Sequence, residues 1–268
     1  MTLPPAATET FEEFLARLQS GRAGHEGFPA GSYDGAPPPW YAQVIGVLFE
    51  GQEAATAVAW ARRVHGELGR LGGEVPFAVV HDWHAGTVAP MLAAAAARRG
   101  DDAGGQEAVC ALHVRALAGE RVAAKAWEAA LGAALPDLYR HAYAYDEAYA
   151  TASADAHAYA MANDYGERKA AEFADGYAKL STGANARSYA AANALANARA
   201  AALAYASADA HAYAETYPFA YVRACVLALA DREEAEDRDG AADRDGRRRE
   251  VCARLAAGLA DSLGRAAA

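Results

Sequence analysis

Ser153–Ala160 and Ser207–Ala214 spell the same octapeptide, SADAHAYA, 54 positions apart. In the longer stretches around them, 148–160 and 204–214, alanine takes every second place, and Ser, Asp, His and Tyr fill the places between. Strict alternation is the period of a β-strand, with an Ala face and a polar face. Residue chemistry argues the other way. Ala is the strongest helix former, and Ala and Asp are poor strand residues. A strand of more than a dozen residues would also exceed the usual length. The flanks carry helix punctuation and no hairpin turn, so both copies are expected on helices.

On a helix, alternate positions fan out by about 200° each, so the polar residues of one copy do not share a face. The lines that do form are Thr151–Asp155–Tyr159 and Tyr149–Ser153–His157 in the first copy. In the second they are Tyr205–Asp209–Tyr213–Tyr217–Tyr221 and Ser207–His211–Glu215. Asp and His within one copy therefore diverge, and a shared site needs two copies on two helices.

Two readings follow. In the first, the copies converge on one cavity of a helical bundle, where side chains from facing helices build ligand sites. Asp155, His157, Asp209, His211 and Glu215 would then be acid–base groups, since His shuttles protons near neutral pH. Tyr145, Tyr149, Tyr159, Tyr205, Tyr213 and Tyr217 would line the cavity and contact a small organic molecule. The chain has 14 Tyr against seven Phe, and hydroxyls are a poor choice for dry filling. In the second reading, Ala-rich helices assemble with a second copy or with a partner. Asp and His then satisfy one another and fix helix register. Whether the chain is an enzyme stays open between the two.

The rest of the chain supports an all-α, single-domain bundle of about seven to nine helices, two of them long, central and Ala-rich. Ala makes up roughly three residues in ten, which favours long helices in close approach. A first segment, 1–39, holds a short helix over 9–18 and a Gly/Pro-rich connector. A core segment, 40–230, follows, with helices expected over 40–70, 106–133, 136–162, 167–180 and 184–217. In this scheme Pro136 opens one helix, the Ser181-Thr182-Gly183 run caps the longest, and Pro218 ends or kinks it. The run VPFAVV is a loop or a helix start. The last segment, 231–268, is a charged loop up to Glu250 and an amphipathic helix around 251–263.

Other histidines offer weaker signals. HDWH places His81 and His84 three residues apart, a candidate site lip with Trp83 for stacking. The alternative is a helix start with Asp82 as N-cap and histidines on the surface or in the core. CALH, Cys110 to His113, reads as a buried helix face. No Glu or Asp lies three residues before a His, so the di-iron helix signature is absent. No metal site is expected and no cofactor is indicated. Walker-type, dinucleotide-binding and nucleophile-elbow motifs are missing. The net charge of −10 opposes a general affinity for nucleic acid. With three unpaired Cys, no signal peptide and no membrane span, a cytoplasmic protein is expected, as a possible homo-oligomer.

Overall fold

The computed structural model describes residues 9–20, 37–143, 145–230 and 241–267. The connector over 21–36 and the charged stretch over 231–240 therefore lie outside the described residues. Twelve α-helical segments and one π-helical turn follow in order. They are α1 (Phe11–Gln19), α2 (Pro39–Glu50), α3 (Ala54–Arg70) and α4 (Ala78–Trp83). A π-turn (His84–Val88) then leads into α5 (Ala89–Arg99). Next come α6 (Gly104–Leu117), α7 (Ala124–His141), α8 (Tyr145–Ala162) and α9 (Glu167–Ser207). The last three are α10 (Ala210–Ala214), α11 (Pro218–Ala230) and α12 (Ala241–Arg265). If α4, the π-turn and α5 count as one helix, there are eleven among the described residues, more than the seven to nine expected. No strand occurs among the described residues.

The local differences from expectation have physical causes. α9 runs unbroken for 41 residues through Ser181-Thr182-Gly183, which caps nothing. One internal Gly costs about 1 kcal/mol in a helix, and packing along the whole length of α9 outweighs that. Thr182 is itself buried in the seam. Pro136 lies inside α7, which begins twelve residues earlier. Missing one backbone bond there costs less than losing the packing of Leu131, Leu135 and Leu138, all buried. The longest helix ends at Ser207, ten residues before Tyr217. Arg247–Arg249 belong to α12 and not to a loop.

α9 organises the molecule. The ends of α7 and α8 follow one another along it in antiparallel sense. Trp127 meets Tyr205, Tyr143 meets Tyr189, the Tyr149 hydroxyl reaches Asp175, and His157 faces Glu167. The second long helix expected from the sequence is thus two 18-residue helices, the first ending in a turn at Ala142 and Tyr143. Every fourth residue of α9 from Ala170 to Ala202 is buried, and all of these but Thr182 are alanine. On a helix of 3.6 residues per turn such a stripe advances about 40° per step. It therefore winds around α9, facing α8 early and α7 later.

α8 packs on α9 alone among the well-contacted helix pairs, so the two form an arm. Its seam holds alanines, and burying one methyl contributes roughly 0.8 kcal/mol, against 1.5–3 for a leucine. The body is built differently. Trp40, Trp83, Trp127, Leu255, Leu259 and Leu263 are fully buried there. α12 crosses α2, α3 and α4. The indoles of Trp60 and Trp83 donate to the Ala256 and Leu255 carbonyls at 2.7 and 3.0 Å. Ile45 and Val64 complete this core, with Phe14 and Leu18 of α1 against it.

Candidate functional site

Six segments of the body converge on a buried cluster of imidazoles and phenols. α4 supplies His81, the π-turn His84, α6 His113, α7 Trp127, α9 Tyr205 and α10 Tyr213. The Nδ1 atoms of His81 and His113 lie 2.9 Å apart, so one of them carries the proton and donates. The His84 ring stacks on His113, with centroids 4.7 Å apart and planes at 18°. The Tyr213 hydroxyl stands 3.3 Å from His84 Nε2. Tyr205 lies edge-on to His113 at 4.9 Å and 5.5 Å from the Tyr213 ring. Trp127 flanks both His113 and Tyr205.

Local structure explains the placement. Three residues of helix set His81 and His84 on one side, and the wider π-turn begins at His84. Pro90, at the start of α5, has no N–H to give to the preceding turn. Thr87 of the π-turn meets α12 at Gly258, where any side chain would collide with it. Asp82 does not cap a helix. It accepts a bond from Arg265 Nε at 3.0 Å, which ties α12 to this corner.

Burial dictates the protonation states. It pushes His81 down to about 4, and His84 down to about 3 with a smaller contribution from His81. His113 lies well below 6.5, by burial first and then by its two histidine neighbours. All three are neutral imidazoles at pH 7. Burial likewise raises Tyr205, Tyr213 and Tyr221 above the ordinary phenol range. Cys225 beside them is pushed up to about 12 and stays a thiol. Three nitrogens in the cluster have no hydrogen-bond partner: His84 Nδ1, His113 Nε2 and Trp127 Nε1. Such groups in a folded core mark a place for water or a ligand atom.

A cleft opens from this cluster between α7, α9 and α11. It holds about 310 Å³ of space, part of it open to solvent. Leu131, Leu135 and Ala201 form apolar walls. Tyr139, Tyr205, Tyr213 and Tyr221 bring phenols, and Asn197 and Thr216 complete the polar rim. No charged side chain lines it. His84 stacks on His113, and the planes of His81 and His113 meet at 54°. No group of three His, Cys, Asp or Glu among the described residues is arranged to hold a metal ion.

The expected site residues are distributed differently. Of these, Tyr205 and Tyr213 share the cluster. Asp155 is exposed on α8, where it borders a shallow groove with Thr151, Tyr177 and Ser181. His157 is half-buried, with Nε2 3.3 Å from Glu167. The Tyr149 hydroxyl donates to Asp175 at 2.6 Å, holding that carboxyl below its usual range. Tyr159 is 59% exposed and its ring meets Phe173. The Tyr145 side chain lies outside the described residues. Asp209 accepts bonds from the His211 and Ala212 amides as the N-cap of α10, which lowers its pKa. His211 and Glu215 are exposed on the outer face of α10. Tyr217 is 60% exposed. His157 of α8 faces the start of α9, and Asp209 lies just past its end. At 1.5 Å per residue these ends are about 60 Å apart, so the two copies do not meet around one cavity.

The histidines of the cluster were visible in HDWH and CALH. The signal was three imidazole rings on otherwise apolar helix faces, and the sequence alone did not tie His113 to the other two.

No family model, no curated protein and no solved structure matches this chain.

Proposed function

We propose that this protein binds a small, neutral, largely apolar organic molecule in the cleft between α7, α9 and α11. The observation that carries this reading is the composition of the cleft: four phenols backed by a neutral imidazole, with no charged side chain lining it. A charged ligand would lose its hydration there without a counter-charge, whereas a neutral one with one or two polar atoms finds partners. Binding is favoured over acid–base turnover by magnitude. Protonating an imidazole held at about 3 in a protein at pH 7 costs on the order of 5 kcal/mol, which makes His84 a weak base. It remains a good hydrogen-bond acceptor. Three free cysteines suit a reducing compartment such as the cytoplasm. No helix among the described residues is long and apolar enough to cross a membrane.

The test pairs benzyl alcohol with benzoate in calorimetry at pH 7. Benzyl alcohol is expected to bind at least tenfold more tightly, and Ala201→Leu, which fills the cleft wall, to abolish that binding. Equal affinities, or an unaltered Kd in Ala201→Leu, would remove the cleft from consideration.

A second reading is favoured by a separate observation. The arm exposes Tyr159, Tyr165, Phe173 and Tyr177, and the Phe173 ring meets each of the other three at 5.7–6.2 Å. Contiguous exposed aromatics are an association surface more often than a free one. This supports a helical interaction role, including self-association. Sedimentation velocity should then show mass rising with concentration, and Phe173→Ser with Tyr177→Ser should hold the protein monomeric. A monomer at every concentration rules out self-association.

A further inference from the structure

α10 is five residues long and lies between two non-glycine residues in the left-handed region, Ala208 at φ 50° and Tyr217 at φ 55°. Side chains disfavour that region, so both ends of α10 are strained while it is seated. The segment is two-faced. His211 and Glu215 look outward, and Tyr213 and Ala214 are buried. One cross-link from another helix holds its backbone, the Gln43 side-chain amide donating to the Ala214 carbonyl at 3.2 Å. The Tyr213 ring fills a slot between Trp40, Phe77 and Tyr205. Its hydroxyl reaches His84 Nε2 at the long distance of 3.3 Å.

Resting on the small-molecule reading above, we infer that α10 is a hinged plug and that Tyr213 stands in for the ligand's own phenol. His84 is neutral. With Tyr213 as donor its Nε2 is an acceptor, and its second nitrogen is unpartnered. Around it lie the rings of His113, Tyr205 and Tyr221. A flat ring bearing one neutral hydroxyl matches that environment, because the chain already fills it with one. When α10 swings out on Ala208 and Tyr217, a small phenol takes the slot and donates to His84. The strain at the hinges lowers the cost of that exchange.

The experiment uses p-cresol, with toluene as the ring without the hydroxyl, and follows affinity and amide hydrogen exchange of the wild-type chain. Saturating p-cresol should speed exchange over 208–217, because the plug is displaced, and toluene should bind at least tenfold more weakly. Ala208→Gly relaxes the seated state and should weaken p-cresol about fivefold. Gln43→Met removes the cross-link at similar volume and should tighten it about fivefold. Three results overturn the plug while leaving the cleft as a binding site. They are equal affinities for the two compounds, slower exchange over 208–217 on binding, or hinge and cross-link variants without effect. If neither compound binds the wild-type chain, both the plug and the small-molecule reading fall.

Discussion

His81, His84 and His113 are the residues on which most depends, because each enters the core uncharged. Their folded pKa values lie below the unfolded value of about 6.5. Above that value they impose no pH dependence. Below it the unfolded chain gains protons that the folded chain refuses, so stability falls as pH drops through this window toward the folded values. At pH 5 the loss is about 2 kcal/mol for each histidine, comparable for three to half or more of the stability of a typical domain. Urea denaturation at pH 7 and pH 5 should show this drop, and His113→Phe should flatten it by about a third. A midpoint independent of pH between 7 and 5 would mean that the rings are charged or hydrated in the fold. In the sequence these residues were visible only as fragments. His81 and His84 share one short motif, but His113 joins them through the packing of α6 on α4, which no local pattern encodes.

At the scale of elements, the octapeptide SADAHAYA adopts two structures. In α8 it runs through the interior of a helix. At the end of α9 the same letters make a stop and a start. Ser207 Oγ donates to the Leu203 carbonyl at 2.8 Å, Ala208 turns left-handed, and Asp209 caps α10. Helix propensity is identical in the two places, so the surroundings decide. In the second copy Tyr213 gains a buried slot and Pro218 opens the next helix five residues later. The first copy has neither, and two of its alanines, Ala156 and Ala160, are already buried against α9. The arm tests how little side chain such a contact needs. Ala174 is 2% exposed in the seam, and Ala174→Leu should force α8 away and speed its amide exchange at least tenfold, with tryptophan fluorescence of the body unchanged. Unchanged exchange in α8 would mean that the helices have room to spare.

Across the whole molecule, helical class was legible because Ala content and helix punctuation act locally and agree. Helix number and boundaries were not. The break at Ala118–Ala123, the continuity across Gly183 and the helical start of α12 depend on which neighbours each segment meets. Asp155, His157, Asp209 and His211 looked like one site because they repeat in sequence. A single 41-residue helix holds them apart. That same helix carries the four-residue alanine stripe, and the stripe has a mechanical corollary. Sliding α8 by four residues along α9, about 6 Å, brings alanine opposite alanine again except at Thr182, so the alanines themselves are no steric key. The setting of the seam rests on the short turn from α8 to α9, where the Tyr165 amide donates to the Ala160 carbonyl at 3.2 Å, and on the Tyr149–Asp175 and His157–Glu167 contacts, pins in a rack of nearly identical teeth.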